Sequence, residues 1–209
     1  MSGCYRRTAE LNCAPSGESS SLKHLPSHLR LWLVAGAFLA MDLASKHWAF
    51  TRLEPDRPLE LIPGLLSLRR SLNAGALFGL LPGFVPVFMG ASVLALLFVL
   101  YLFAHSSRRH RSLHVGLGLI LAGALGNLYD RAFVEADVVR DRQGRVVAIG
   151  TIMPGPPGGI LLGDWPDGSN ARLLRPARGL TVRRAGVVRD FIKIEPRLGG
   201  VELWPWVFN

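Results

Sequence analysis

The chain has 209 residues, 49% of them hydrophobic and only 19% charged, with a mean hydropathy of +0.28, a balance too apolar and too charge-poor for an ordinary soluble domain of this length. Its net charge of +9 suits either nucleic acid or an anionic membrane surface, but the basic residues flank apolar runs and no basic-aromatic stripe marks a nucleic-acid groove. Composition therefore points to an α-helical membrane protein with membrane lipid, and not nucleic acid, as its partner.

Residues 1–30 contain Ser, Pro and Arg without apolar periodicity and read as a disordered cytoplasmic tail. Cys4 and Cys13 lie in it and read as free thiols rather than a disulfide or metal pair. Residues 31–50 are apolar apart from Asp42 and Lys46, which fits a first membrane helix, since a helix needs about 20 apolar residues to cross. The long basic tail before it, and the lack of a small-x-small site preceding a soluble domain, argue for a retained helix over a cleaved signal. Between the first two spans, Leu59 to Leu68 reads as short strands turning at Pro63-Gly64, a small β-rich extracytoplasmic element.

The stretch 71–107 contains no Asp, Glu, Lys or Arg, and residues 84–104 form the second span. Residues 112–130 form the third, with Gly118, Ala122 and Gly126 in a smooth stripe that favours close packing on another helix. The short loop between them carries Arg108, Arg109 and Arg111, which places it and the amino terminus in the cytoplasm. The chain beyond Arg131 then lies outside. Residues 132–185 are rich in Gly, Pro and Arg around Pro154 to Gly159 and read as an irregular or β insertion or lid. Residues 186–209 form a last segment.

Ionisable groups inside spans are costly, so each is a functional candidate. Asp42 and Lys46, one turn apart on one helix face, serve either as a structural ion pair or in chemistry. Asn73, in Arg70-Ser71-Leu72-Asn73-Ala74-Gly75-Ala76-Leu77-Phe78, marks either a turn or an amide that holds an extended peptide backbone. Asn127 and Asp130 share a helix face, with Arg131 beside them, as an interfacial cap or as part of a site. Asp190 sits between apolar residues in Gly186-Val187-Val188-Arg189-Asp190-Phe191-Ile192, by itself a common strand pattern.

Together these clusters resemble bacterial lipoprotein signal peptidase, signal peptidase II. That family's ordered signatures are Asp-x-x-x-Lys, Asn-x-Gly-Ala-Ala-Phe, Gly-Asn-x-x-Asp-Arg, Val-Val-Asp-Phe and Phe-Asn-x-Ala-Asp. Here they read as Asp42/Lys46, Asn73 to Phe78 with Leu77 in one Ala position, Gly126 to Arg131, Val187 to Phe191 with Arg189 inserted, and Phe208-Asn209. The interval from Asp130 to Asp190 is longer than the family's, and the insertion fills it. A second Val138-Val139-Arg140-Asp141 is closer to the expected spacing, but Arg142 follows it where the family has an apolar residue, so Asp190 is preferred over Asp141.

The resemblance implies an intramembrane aspartic endopeptidase of the bacterial inner membrane, multi-pass and monomeric, with its site on the extracytoplasmic side. Its substrates would be prolipoprotein signal peptides, cut before a diacylglyceryl-modified cysteine. It implies three of the family's four transmembrane helices, with the fourth and the second catalytic aspartate falling past Asn209. Asp190 would be one catalytic carboxylate. Asn73, Asn127, Arg131 and Asn209 would orient substrate, and Asp42, Lys46 and Asp130 would support them. The missing helix would pack on the Gly118, Ala122 and Gly126 stripe. No cofactor is implied, and nothing suggests a metal: there is no Cys-x-x-Cys pair, and most of the six His lie in the tail or in the cytoplasmic connection. Two rivals stay open: a non-catalytic binder of lipoprotein precursors, and a small transporter relaying protons through Asp42 and Asp130.

Overall fold

The computed structural model describes residues 20–55, 57–74, 85–107, 109–174, 179–195, 197–198, 201–202 and 206–208. Cys4, Cys13, Arg108, Asn209 and the stretch from Gly75 through Gly79 lie outside them.

Helix α1 runs over Ser20–Arg52 and ends just before Pro55, where the chain leaves helical geometry. It starts before the Leu31 at which the apolar pattern begins, so residues 20–30 are helical where a disordered tail was expected. Once a long helix has nucleated, each added turn costs little, which allows the polar residues to continue it. Strands β1 (Leu59–Ile62) and β2 (Leu66–Asn73) form an antiparallel hairpin through Pro63-Gly64, with Gly64 at φ 69. Helices α2 (Val85–Ala104) and α3 (Arg111–Phe133) follow. Among the described residues, two helical segments, His28–Arg52 and Arg111–Phe133, are long and apolar enough to cross a membrane, and Ser92–Ala104 is a shorter apolar stretch within α2.

Contacts between α1 and α3 advance together along both helices, from Leu31 beside Gly118 to Asp42 beside Gly126 and Lys46 beside Asp130. The two helices therefore run parallel. Phe103 near the end of α2 packs on His28 of α1 and His114 of α3, so α2 runs the other way. Leu31, Ala35, Val99, Leu117 and Leu121 form the buried core of this helical layer. The small-residue stripe on α3 packs against α1, not a further helix. A Cβ on Gly118 would lie 3.0 Å from the Leu31 carbonyl oxygen and from Val34 Cγ1, and one on Gly126 would lie 2.1 Å from Asp42 Oδ2. Large apolar side chains such as Trp32, Phe38, Leu97, Phe98 and Ile120 remain exposed around the layer.

The region after α3, expected as an irregular or β insertion, is an antiparallel sheet. Strands β3 (Glu135–Arg140), β4 (Val146–Met153), β5 (Ile160–Gly163), β6 (Arg172–Leu174) and β7 (Thr181–Gly186) are ordered β6-β5-β4-β3-β7. The Val, Ile and Leu residues lie in the strands, while Gly and Pro fall in the connections, among them Gly144 at φ 79 and Gly158 at φ 82. The chain then returns to the first hairpin. Strand β8 (Val188–Ile194) pairs antiparallel with β2, and on its other side with β11 (Trp206–Phe208), completing a sheet of order β1-β2-β8-β11. A small separate pair joins β9 (Arg197–Leu198) and β10 (Val201–Glu202).

The parallel course of α1 and α3 sets both sheets at one end of the helical layer. Two apolar clusters join them there. Ala49, Phe50, Leu53 and Phe191 link α1 to β8, while Val134, Ala136, Val138 and Val187 link the end of α3 to the inserted sheet. Trp165 touches both clusters.

Candidate functional site

The end of α3 fixes where β8 begins. Val187 N–H donates to the Val134 carbonyl at 2.9 Å, closing the inserted sheet into a loop that leaves α3 and returns to it. Gly186 permits this approach, because a Cβ there would lie 2.0 Å from the Arg131 carbonyl oxygen.

Alternation along β8 sends Arg189 and Asp190 to opposite faces. Arg189 turns to α3, where its backbone N–H donates to Asp130 Oδ2 at 3.0 Å, and its Nε and Nη2 donate to Asp130 Oδ1 at 3.1 and 2.7 Å. Asp130 is fully buried, and Lys46 Nζ lies 3.4 Å from its Oδ2. Lys46, also fully buried, meets Asp42 Oδ2 at 2.8 Å and donates to Asn127 Oδ1 at 3.3 Å. Three acceptors thus surround one ammonium in a setting where an unpaired charge would be prohibitive.

Asp190 is buried on the other face of β8. It stands opposite Ser71 in the β2 register, and Asn73 Nδ2 donates to its Oδ2 at 3.2 Å. Burial pushes its carboxyl up to about 6, against the opposing pull of the Asn73 hydrogen bond and the Lys46 and Arg131 charges. Such a carboxyl holds or releases a proton near neutral pH, which is what acid-base chemistry requires. Arg131 lies within electrostatic reach of Asp190, and its buried Nε has no hydrogen-bond partner among the described residues.

The structure therefore gathers Asp42, Lys46, Asn73, Asn127, Asp130, Arg131 and Asp190, from α1, β2, α3 and β8, at one end of the helical layer. Asn209 lies outside the described residues. Asp141 is elsewhere. It follows β3 at the end remote from α3, its Oδ2 pairs with Arg145 Nε at 2.7 Å, and its Oδ1 accepts from the Arg145 backbone N–H at 2.9 Å. It stabilises a hairpin turn. No group of three or more His, Cys, Asp or Glu among the described residues is arranged to hold a metal ion.

Arg189 is the residue that sequence reasoning missed, since it counted as an interruption of the Val-Val-Asp-Phe signature. The available signal was its place one residue before a candidate carboxylate in an apolar strand, where a cation on the opposite face needs a buried anion. Arg70 and Trp165 were missed as well. An Arg70 Nη2 donates to the Trp165 carbonyl, tying the inserted sheet to β2.

A family model described as signal peptidase (SPase) II matches residues 34–209. A lipoprotein signal peptidase of Desulforapulum autotrophicum is 37% identical over 108 residues, 49% of this chain and 67% of that one. One from Rhodococcus jostii is 40% identical over 121 residues, covering 57% of this chain and 58% of its own length. One from Desulfitobacterium hafniense is 35% identical over 104 residues, 50% of this chain and 69% of that one. A solved structure described as a bacterial membrane enzyme aligns with a TM-score of 0.45 at 28% identity, over 49% of this chain and 62% of that chain. The matched part of the chain thus spans about three fifths to two thirds of the length of these relatives. With the family model covering most of the sequence, the chain belongs to the signal peptidase II family of membrane-associated, lipoprotein-processing hydrolases.

Proposed function

We propose that this chain carries the catalytic carboxylate of a prolipoprotein signal peptidase, an intramembrane aspartic endopeptidase cutting before a diacylglyceryl-modified cysteine. The observation that carries this reading is the environment of Asp190: buried, held by Asn73, close to the Arg131 charge, and pushed up to about 6. In the proposed arrangement α1, α2 and α3 span the inner membrane, the loop containing Arg109 faces the cytoplasm, and both sheets lie outside. Substrate enters from the lipid at the end of α3.

Peptide hydrolysis in this manner uses two carboxylates, one accepting a proton from attacking water and the other protonating the departing amine. Asp190 is proposed as one of them. Asp130 and Asp42 are poorly suited to be the other, because both are already engaged in ion pairs, with Arg189 at 2.7 Å and Lys46 at 2.8 Å. Strand β11 runs antiparallel to β8 with Phe208 opposite Ile192, two residues from Asp190. Asn73 orients Asp190. The buried Arg131 Nε, with Asn127, is proposed to hold the substrate backbone, since an unsatisfied guanidinium N–H gains most from a peptide carbonyl.

The test is processing of a lipid-modified precursor in cells lacking their own enzyme and supplied with the natural gene of this chain or its Asp190→Asn variant. The proposal expects conversion to the mature lipoprotein with the first and accumulation of uncut precursor with the second.

A further inference from the structure

We infer a second, non-catalytic site: a groove between the inserted sheet and strand β2 that binds the phosphate of an anionic phospholipid headgroup. Its walls include Phe50 at the end of α1, Arg69, Arg70 and Ser71 on β2, and Trp165 and Arg172 from the insertion. Arg70 is fixed in place by its hydrogen bond to the Trp165 carbonyl and by stacking 5.4 Å above the Phe50 ring. Trp165 packs edge-on against Phe50 at 5.9 Å, and its indole N–H donates to the Glu135 carbonyl at 2.9 Å. The groove is thus a built seam between insertion and core.

Its charge selects an anion. Three guanidinium groups line it with one carboxylate, Asp164, whose Oδ2 already accepts from Asn170 Nδ2 at 3.0 Å, and Asp167 lies within electrostatic reach of Arg70, so cations still outnumber anions. Guanidinium groups match phosphate oxygens in paired hydrogen bonds. The depth of the groove selects the source. Phe50 stands two residues before Arg52, the last residue of α1, so the groove opens where the apolar span gives way to polar chain. That level is the headgroup region, where phosphate is the plentiful anion and where Trp and Arg are favoured. The inference rests on the membrane arrangement proposed above. The insertion contributes Trp165 and Arg172 to the groove, and β2, which carries Ser71 into it, also carries Asn73 to Asp190.

The test uses the protein made from its natural gene, purified in neutral detergent and titrated calorimetrically with dihexanoyl-phosphatidylglycerol, inorganic phosphate or a Glu-rich hexapeptide. The lipid should bind more tightly than either other probe. Arg69→Ala/Arg172→Ala should weaken it about tenfold or more, as expected for two surface cations near a headgroup. Arg69→Lys/Arg172→Lys should retain more of the binding, and Arg142→Ala/Arg183→Ala, which removes equal charge outside the groove, should change little. Equal melting temperatures in lipid-free detergent show that the variants fold. Equal losses in both alanine pairs would mean general surface charge, and phosphate or peptide binding as tight as the lipid would mean another ligand class; either overturns the inference. Asp190→Asn separates the two proposals, since it should lose cleavage and keep lipid binding. Failure of the wild-type protein to cleave while it binds lipid through Arg69 and Arg172 would count against the protease reading alone.

Discussion

Arg189 and Asp130 are joined by three hydrogen bonds, one from the backbone N–H and two from the guanidinium, across the boundary between the β8 strand and the end of α3. The pair fixes the strand that carries Asp190 against the helix that carries Asn127 and Arg131. Arg189→Met removes the hydrogen-bonded guanidinium from fully buried Asp130 and leaves it Lys46 at 3.4 Å. The expected loss of stability is about 3–5 kcal/mol, the usual result of breaking one side of a buried pair. Arg189→Met combined with Asp130→Leu should recover part of it. Denaturant titrations of the four proteins check this, and a loss below about 1 kcal/mol for the single variant would show that the pair does not brace the strand.

Gly126→Ala tests the contact of α3 with the Asp42 and Lys46 pair. The added methyl would overlap Asp42 Oδ2 and come within 3.6 Å of Lys46 Nζ. The expected cost is about 1–3 kcal/mol, typical of overpacking a close contact. Gly123→Ala, on the same helix with nothing within 4 Å, should be neutral or slightly stabilising. Melting temperatures of the two variants measure the difference, and equal shifts would contradict the packing described.

Asp190 imposes a pH dependence on stability with a definite sign. Its carboxyl is raised from 3.8 to about 6 in the folded protein, so between those values the folded state binds more protons than the unfolded state. Stability from this group is present below about pH 4 and is lost as pH rises through about 6. Asp190→Asn removes the burial penalty on the charged form and should stabilise the protein by on the order of 2 kcal/mol at pH 8, with little effect at pH 4. Thermal melts of both proteins across that range check it. A variant less stable than wild type at pH 8 would show that Asp190 is not a strained buried carboxylate.

Asp141→Asn separates the two aspartates that follow Val-Val-Arg. Asp141 pairs with a mostly exposed Arg145 in a turn at the remote end of β3, so its replacement should change stability little and leave precursor processing intact. Loss of processing, in quantitative assays of cell extracts, would move the assignment to Asp141.

Much of this arrangement was legible in the sequence because the relevant signals are local. The charge-free run before Ala104 and the Pro63-Gly64 turn each correspond to an observed element. The one-turn spacing of Asp42 and Lys46, and the shared face of Asn127 and Asp130, gave the helical half of the site. Other features depended on which elements meet. The partner of the Gly118, Ala122 and Gly126 stripe is α1, a fact set by the parallel course of two helices separated by a third. The insertion was legible only as irregular or β because its Gly and Pro residues dominate the composition, although they lie in its turns. Arg189 was misread for a related reason: its function rests on an anion 59 residues away in sequence.

The central claim, that Asp190 is the catalytic carboxylate, is tested most directly by the rate at which the natural gene product cleaves a purified diacylglyceryl-modified precursor. Wild type, Asp190→Asn and Asp141→Asn should be compared in one lipid environment. The account predicts that Asp190→Asn lowers the rate by about a thousandfold or more, as loss of one member of a cooperating catalytic set does, while Asp141→Asn stays within about threefold of wild type. A folded Asp190→Asn protein that cleaves at a rate close to wild type would contradict it.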